Sequence, residues 1–136
     1  MDNIMATVDY QGQLRTQALH LRSGNRIQTD APIDNQGKGE AFSPTDLVST
    51  ALCSCMMTIM GQVANREGIN LEGLKGEVVK IMVPTPRKIG EIKITFTHPG
   101  LNATEEQKQK LKNGAITCPV ARSLSESLVQ TVVFNF

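Results

Sequence analysis

Three cysteines are the residues of this 136-residue chain with the most distinctive chemistry. Cys53 and Cys55 are two positions apart, and about 200° of helical rotation between them would prevent them from sharing one site. Cys118 precedes Pro119, which predicts that the cysteine begins a helix. Backbone N–H groups and the helix dipole there favour a thiolate, so we expect the pKa of Cys118 to lie below its usual range. Cys55 would need a nearby cation to become a nucleophile.

A metal site and a hydrolase triad have weaker support in the sequence. The two histidines, His20 and His98, complete the inventory of soft ligands, but no CxxC pair or HExxH motif is present, so a zinc site is not favoured. A Ser-His-Asp triad has no GxSxG motif to support it. All three cysteines could instead be small buried apolar residues. Spacing alone leaves reactive and buried thiols as open alternatives.

The first two cysteines lie in a predicted helix from Ser43 to Gly68. Ser43 is a favourable N-cap, Pro44 suits the first helical position, and the Asp46 carboxylate can reach back as in a capping box. Gly68 is a natural stop. The segment is apolar nearly all the way round, which predicts a helix buried on every side, within the chain or against a partner subunit. A membrane span is less favoured because Ser, Thr and Gln interrupt the run.

Strand-like and helix-like segments flank this helix in an order that predicts an α+β fold and one domain over residues 1–136. The N-terminal part predicts a hairpin with its turn at Gln11–Gly12, a third strand and a long loop. The C-terminal part predicts a second hairpin, two helices and a last strand. The predicted ranges are strands 4–10, 13–21 and 26–29, loop 30–42, strands 71–83 and 89–98, helices 105–113 and 118–128, and strand 129–136.

Composition excludes several classes of function. The net charge is +1, aromatic residues make up 4% of the chain and tryptophan is absent, so nucleic-acid binding is not expected. The N-terminal stretch MDNIMATVDY has no apolar segment typical of a secretory signal. We therefore predict a cytoplasmic protein, where cysteines are reduced rather than joined as a structural framework.

Two motifs together resemble the OsmC/Ohr family of thiol-dependent peroxide reductases. The first is Ser43-Pro44-Thr45-Asp46-Leu47 with Cys55 eleven residues after the proline, and the second is Cys118-Pro119-Val120. The order of elements is similar over essentially the whole chain. The resemblance implies antiparallel sheets wrapped around a long central buried helix, in an intertwined homodimer.

The resemblance also implies a mechanism. Cys55 would attack an organic hydroperoxide and become a sulfenic acid, and Cys118 would resolve it to a disulfide. No metal or other cofactor is implied. The implied partners are a second copy of the chain, a small hydroperoxide and an external dithiol reductant, with no nucleic acid and no membrane.

The chain departs from the family pattern where an activating cation is expected. The family's arginine, nine residues ahead of the proline, is replaced by Asn35, and Thr45 stands where a glutamate holds that arginine. The acid comes one place later, as Asp46. The segments Asp30-Ala31-Pro32 and Asp34-Asn35 are more similar to the less characterised OsmC-like branch.

Another arginine could supply the cation, with candidates at Arg22, Arg26 and Arg122. The predicted catalytic set is Cys55, Cys118, Asp46 and Arg26. The alternative hypothesis is a non-enzymatic dimer on the same fold that binds a small molecule or an acyl ligand.

Overall fold

The computed structural model describes residues 2–136 and confirms an α+β fold. Two compact units are formed, one up to Leu47 and the other Val48–Phe136. A three-stranded sheet, sheet A, belongs to the first unit, and a second, sheet B, belongs to the other. The elements are β1 (Ala6–Gly12), β2 (Arg15–His20), β3 (Arg26–Asp30), α1 (Pro44–Glu67), β4 (Lys75–Pro84), β5 (Arg87–Thr97), α2 (Glu105–Ile116), α3 (Pro119–Ser123) and β6 (Val129–Asn135).

Sheet A is an antiparallel meander in the order β1-β2-β3. Its first turn consists of Gln13 and Leu14, whose φ angles are 55° and 62°, between the paired residues Gly12 and Arg15. The predicted turn at Gln11–Gly12 was therefore two residues early. A two-residue hairpin turn with two positive φ values is usually signalled by Asn-Gly, and Gln-Leu gives no such signal.

The loop after β3 is more regular than the sequence suggested. A single 3-10 turn, Ile33–Asn35, lies within it. The Ala31 N–H donates to the Leu14 carbonyl at 3.0 Å, and the Asp30 N–H donates to the Phe42 carbonyl at 3.1 Å. The second bond closes the loop at its base.

The caps of α1 confirm the sequence prediction. The Asp46 N–H donates to Ser43 Oγ at 3.1 Å, and the Ser43 N–H donates to Asp46 Oδ2 at 3.0 Å. This is a capping box with Asp in the usual Glu position. Gly68 has φ +70° and the Ile69 N–H donates to the Ala64 carbonyl, which together end the helix in a Schellman motif.

Within the single chain, only one face of α1 is buried. The chain alone therefore does not meet the expectation that the helix is buried on every side. α1 is long and apolar enough to span a membrane, but core helices of soluble proteins have the same length and composition. The buried residues of α1 are Ser49, Leu52, Cys53, Met56, Met60, Val63 and Ala64. The exposed ones include Val48, Ala51, Ser54, Thr58, Gln62 and Asn65.

Sheet B supplies the other wall of the core. Ile92, Ile94 and Phe96 of β5 are at most 1% exposed and pack in the cluster that contains the buried face of α1. β4 pairs antiparallel to β5, as predicted, but β6 pairs parallel to it. The expectation of purely antiparallel sheets is wrong for this pair. The connection from β5 to β6 runs through α2 and α3, which is long enough for a parallel crossover.

The second helix is longer than its sequence indicates. α2 begins with a capping box between Thr104 and Gln107 and continues past Gly114 to Ile116. A Cβ at Gly114 would lie 3.1 Å from Ile59 Cγ2 and 3.3 Å from Val63 Cγ2 of α1. The glycine predicted to end the helix therefore permits close packing of two helices.

The third helix is shorter than predicted. α3 ends at Ser123, and Leu124 is already extended, whereas the sequence favoured a helix to Leu128. Ser125 Oγ accepts from the Ser127 N–H at 3.2 Å, a local bond that competes with helix formation.

Candidate active site

Cys55 and Cys118 are brought together within the C-terminal unit. Cys55 is half-buried near the middle of α1, and Cys118 is the N-cap of α3, with 1% exposure. Both are free thiols, and they lie close enough that Cys55 raises the pKa of Cys118. Cys118 Sγ also accepts from the Ala121 N–H, with 3.4 Å between nitrogen and sulfur.

Burial raises the pKa of the Cys118 thiol, and the neighbouring Cys55 raises it further. The backbone N–H groups of Ala121 and Val120 act in the opposite direction without reversing the shift. The expectation of a lowered pKa is therefore wrong. The loss of solvation outweighs the two N–H groups of a five-residue helix. Cys118 consequently favours the protonated thiol.

Cys53 lies on the buried side of α1, outside this pair. It is 6% exposed, and burial raises its pKa. A Cβ added at Gly76 of β4 would lie 2.5 Å from Cys53 Sγ. The glycine therefore makes room for a thiol that is covered by a strand.

The two other predicted site residues lie in the N-terminal unit. Asp46 accepts from the Ser43 N–H, so it has a clear structural role as a capping residue. Arg26 Nη1 donates to Gln17 Oε1 on the neighbouring strand at 3.0 Å. Of the other candidate arginines, Arg22 is exposed, and Arg122 is an exposed residue of α3.

A buried ion pair in the N-terminal unit was missed by sequence reasoning. Arg15 Nε donates to Asp30 Oδ1 at 2.6 Å, and Arg15 Nη2 donates to Asp30 Oδ2 at 2.8 Å. The Glu40 N–H also donates to Asp30 Oδ2, at 3.0 Å. The guanidinium holds the pKa of Asp30 below its usual range, and Asp30 raises the pKa of Arg15. The two residues are direct partners in the β2–β3 register.

No cluster of three or more His, Cys, Asp or Glu side chains that could hold a metal ion occurs within residues 2–136. The chemistry that the described side chains offer at this site is that of two neighbouring thiols of unequal exposure.

Comparisons with known proteins agree with this architecture. The model of the OsmC-like protein family matches residues 37–132. A proposed osmotic-stress-induced and detoxification-response protein from Psychrobacter arcticus is 45% identical, with a TM-score of 0.95 over 99% of this chain and 98% of that one. No curated protein matches the chain.

More distant solved structures share the fold. The organic hydroperoxide resistance protein OsmC from Legionella pneumophila is 18% identical, with a TM-score of 0.71 over the full length of both chains. The organic hydroperoxide resistance protein OhrB of Bacillus subtilis is 17% identical, with a TM-score of 0.63 over 97% of this chain and 98% of that one. The chain described here belongs to the OsmC-like family.

Proposed function

We propose that this protein reduces organic hydroperoxides through Cys55 and Cys118. The observation that supports the proposal is a pair of neighbouring thiols that differ in burial. Cys55 is half-buried and so partly open to a substrate, whereas Cys118 is almost fully buried and keeps its proton. An attacking thiol must be reached by a peroxide, while a resolving thiol needs only to reach its partner.

The reaction balances with these two thiols and no cofactor. Cys55 Sγ attacks the terminal oxygen of the hydroperoxide, the O–O bond breaks, and the alkoxide leaves as an alcohol after taking a proton. Cys55 is oxidised to a sulfenic acid. Cys118 Sγ then attacks that sulfur, the S–O bond breaks, and the Cys118 proton leaves with the hydroxide as water. An external dithiol reduces the resulting disulfide by thiol–disulfide exchange.

Family membership and the names of two relatives, both organic hydroperoxide resistance proteins, support this choice of substrate. The test is stopped-flow oxidation of the reduced protein by cumene hydroperoxide and, separately, by hydrogen peroxide. We expect faster oxidation by the organic peroxide and a Cys55–Cys118 disulfide in peptide maps. Oxidation by both peroxides at the rate of a free thiol in solution would contradict the proposal.

A homodimer is the second part of the proposal, and exposed apolar surface supports it. Val8, Ala18 and Ile27 form one row across sheet A, in which Val8 is 62% exposed and Ile27 is 52% exposed. The exposed face of α1 is also poor in charge. Apolar faces of this kind mark protein interfaces, and a second copy of the chain would cover them.

The dimer is tested by replacing Ile27 with Glu. A charge in the apolar row would lose its solvation in an interface, so we expect the wild type to be a dimer in light scattering and Ile27→Glu to be a monomer. Gln28→Glu is the matched control, because the neighbouring residue of β3 has its side chain on the opposite face of the sheet. A monomeric wild type, or a dimeric Ile27→Glu protein, would contradict the proposal.

The alternative of a lipophilic ligand has less support. A cavity of about 470 Å³ lies between α1 and α2 in the C-terminal unit. Arg66, Glu67 and Lys110 are among its lining residues, and Lys110 pairs with Glu67 at 3.3 Å. Charged side chains at the rim are a poor match for an acyl chain.

A further inference from the structure

The helix that carries Cys118 cannot hold itself in place. α3 has five residues, far fewer than the number at which an isolated helix becomes stable in water. Its local bonds include one from Ser123 Oγ to the Pro119 carbonyl at 2.8 Å and one from the Arg122 N–H to the Cys118 carbonyl at 3.1 Å. The position of the thiol therefore depends on what ties this helix to the rest of the C-terminal unit.

Ala121 connects the cap of α3 to one such tie. Its N–H donates to Cys118 Sγ, and its carbonyl accepts from Gln130 Nε2 at 3.0 Å. Gln130 is a partly buried residue of β6, in register with the fully buried Ile92 of β5. One peptide turn thus links the sulfur of Cys118 to the edge strand of sheet B.

Resolution of a sulfenic acid makes a geometric demand on this link. A disulfide requires the Cα atoms of its cysteines to lie about 4.4–6.8 Å apart with a restricted dihedral angle. While Cys118 Sγ bonds to Cys55 Sγ, it becomes a weaker acceptor for the Ala121 N–H. At that moment the cap of α3 is weakest, and the bond from Gln130 still holds Ala121.

We propose that Gln130 is a positioning residue for Cys118, holding α3 so that its N-cap sulfur stays within reach of Cys55 during disulfide formation. This inference rests on the proposed function for its biological setting. Gln130 acts through the peptide group of Ala121, to which it donates. Its loss should therefore slow the second chemical step and leave the first unchanged.

The test measures formation of the Cys55–Cys118 disulfide (ring closure) separately from the reaction with peroxide. Reduced protein is mixed with glutathione disulfide, which forms a mixed disulfide at Cys55 and releases one glutathione. Cys118 then displaces the second glutathione as the intramolecular disulfide forms, and the rate of this release is followed by quenched mass spectrometry. The variants are Gln130→Glu and Gln130→Met, which keep the length of the side chain without its N–H donors. Loss of one hydrogen bond predicts closure about tenfold slower.

The matched control is Gln107→Glu. Gln107 Nε2 also donates to a backbone carbonyl, that of Glu67 at 3.3 Å, and it is partly buried on α2. We expect Gln107→Glu to close at the wild-type rate, and all variants to form the Cys55 sulfenic acid with cumene hydroperoxide as fast as the wild type.

Two results would overturn the positioning role. One is ring closure at the wild-type rate in both Gln130 variants, and the other is an equal slowing in Gln107→Glu. If the wild type forms no sulfenic acid with a hydroperoxide, the proposed function fails. The glutathione experiment still decides the role of Gln130 in that case.

Discussion

Cys55→Ser is expected to abolish hydroperoxide reduction, lowering the turnover rate by at least about a thousandfold. A serine hydroxyl does not ionise near neutral pH, so the nucleophile of the first step is lost. The measurement is consumption of cumene hydroperoxide with an excess of dithiol reductant. Turnover at the wild-type rate in Cys55→Ser would remove this residue from the mechanism.

Cys118→Ser should separate the two chemical steps. The first step remains, so each chain consumes one equivalent of hydroperoxide and then holds Cys55 as a sulfenic acid, which dimedone traps. Cys53→Ser is the matched control, because Cys53 is a buried thiol on the same helix whose side chain faces Gly76. We expect near-normal turnover in this control. A disulfide that still forms as fast in Cys118→Ser as in the wild type would contradict the resolving role of Cys118.

Asp30→Asn should produce the largest loss of stability among single changes in the N-terminal unit. The carboxylate is 1% exposed and accepts two bonds from Arg15, so the neutral amide would leave a partly buried guanidinium with only the exposed Glu40 carboxylate, 3.5 Å away, as a counter-charge. We expect the melting temperature at pH 7 to fall by about 5–10 °C. Circular dichroism would follow the transition, with Asp9→Asn as the control at an exposed strand position.

The same pair predicts how stability depends on pH. Arg15 lowers the pKa of Asp30 in the folded state, so the folded chain binds fewer protons than the unfolded chain at moderately acidic pH. The stabilisation is complete above the ordinary carboxyl range and is lost as the pH falls through the lowered folded-state pKa. The difference in melting temperature between wild type and Asp30→Asn should therefore shrink from about pH 4 downwards. A constant difference between pH 7 and pH 3 would contradict this linkage.

Local chemistry made the start and end of α1 predictable from sequence. A capping box between Ser43 and Asp46 and a stop at Gly68 each depend on residues a few positions apart, so no tertiary information was needed. The alternation of Ile92, Ile94 and Phe96 with polar residues in the sequence likewise predicts the face of β5 that is buried. Pairing of the two motif cysteines came from family resemblance, because their spacing alone left both alternatives open.

Features that depend on distant parts of the chain were not predictable in the same way. The parallel pairing of β6 depends on the path of the crossover, and the partnership of Arg15 with Asp30 depends on the register between β2 and β3. The direction of the pKa shift of Cys118 depends on burial, which belongs to the folded chain. The Cys118-Pro119 sequence predicts a helix N-terminus, which lowers the pKa of the thiol. The loss of solvation that raises the pKa by more cannot be read from the sequence.

Because Cys53 packs against Gly76, the reactivity of its thiol reports the separation of β4 from α1. Cys53 is covered by β4 and shares α1 with Cys55, yet reagents and oxidants can reach it only when the strand separates from the helix. Its alkylation rate under native conditions would therefore measure the free energy of that separation. By the same physical barrier, irreversible oxidation of this third thiol is confined to molecules that have already begun to unfold.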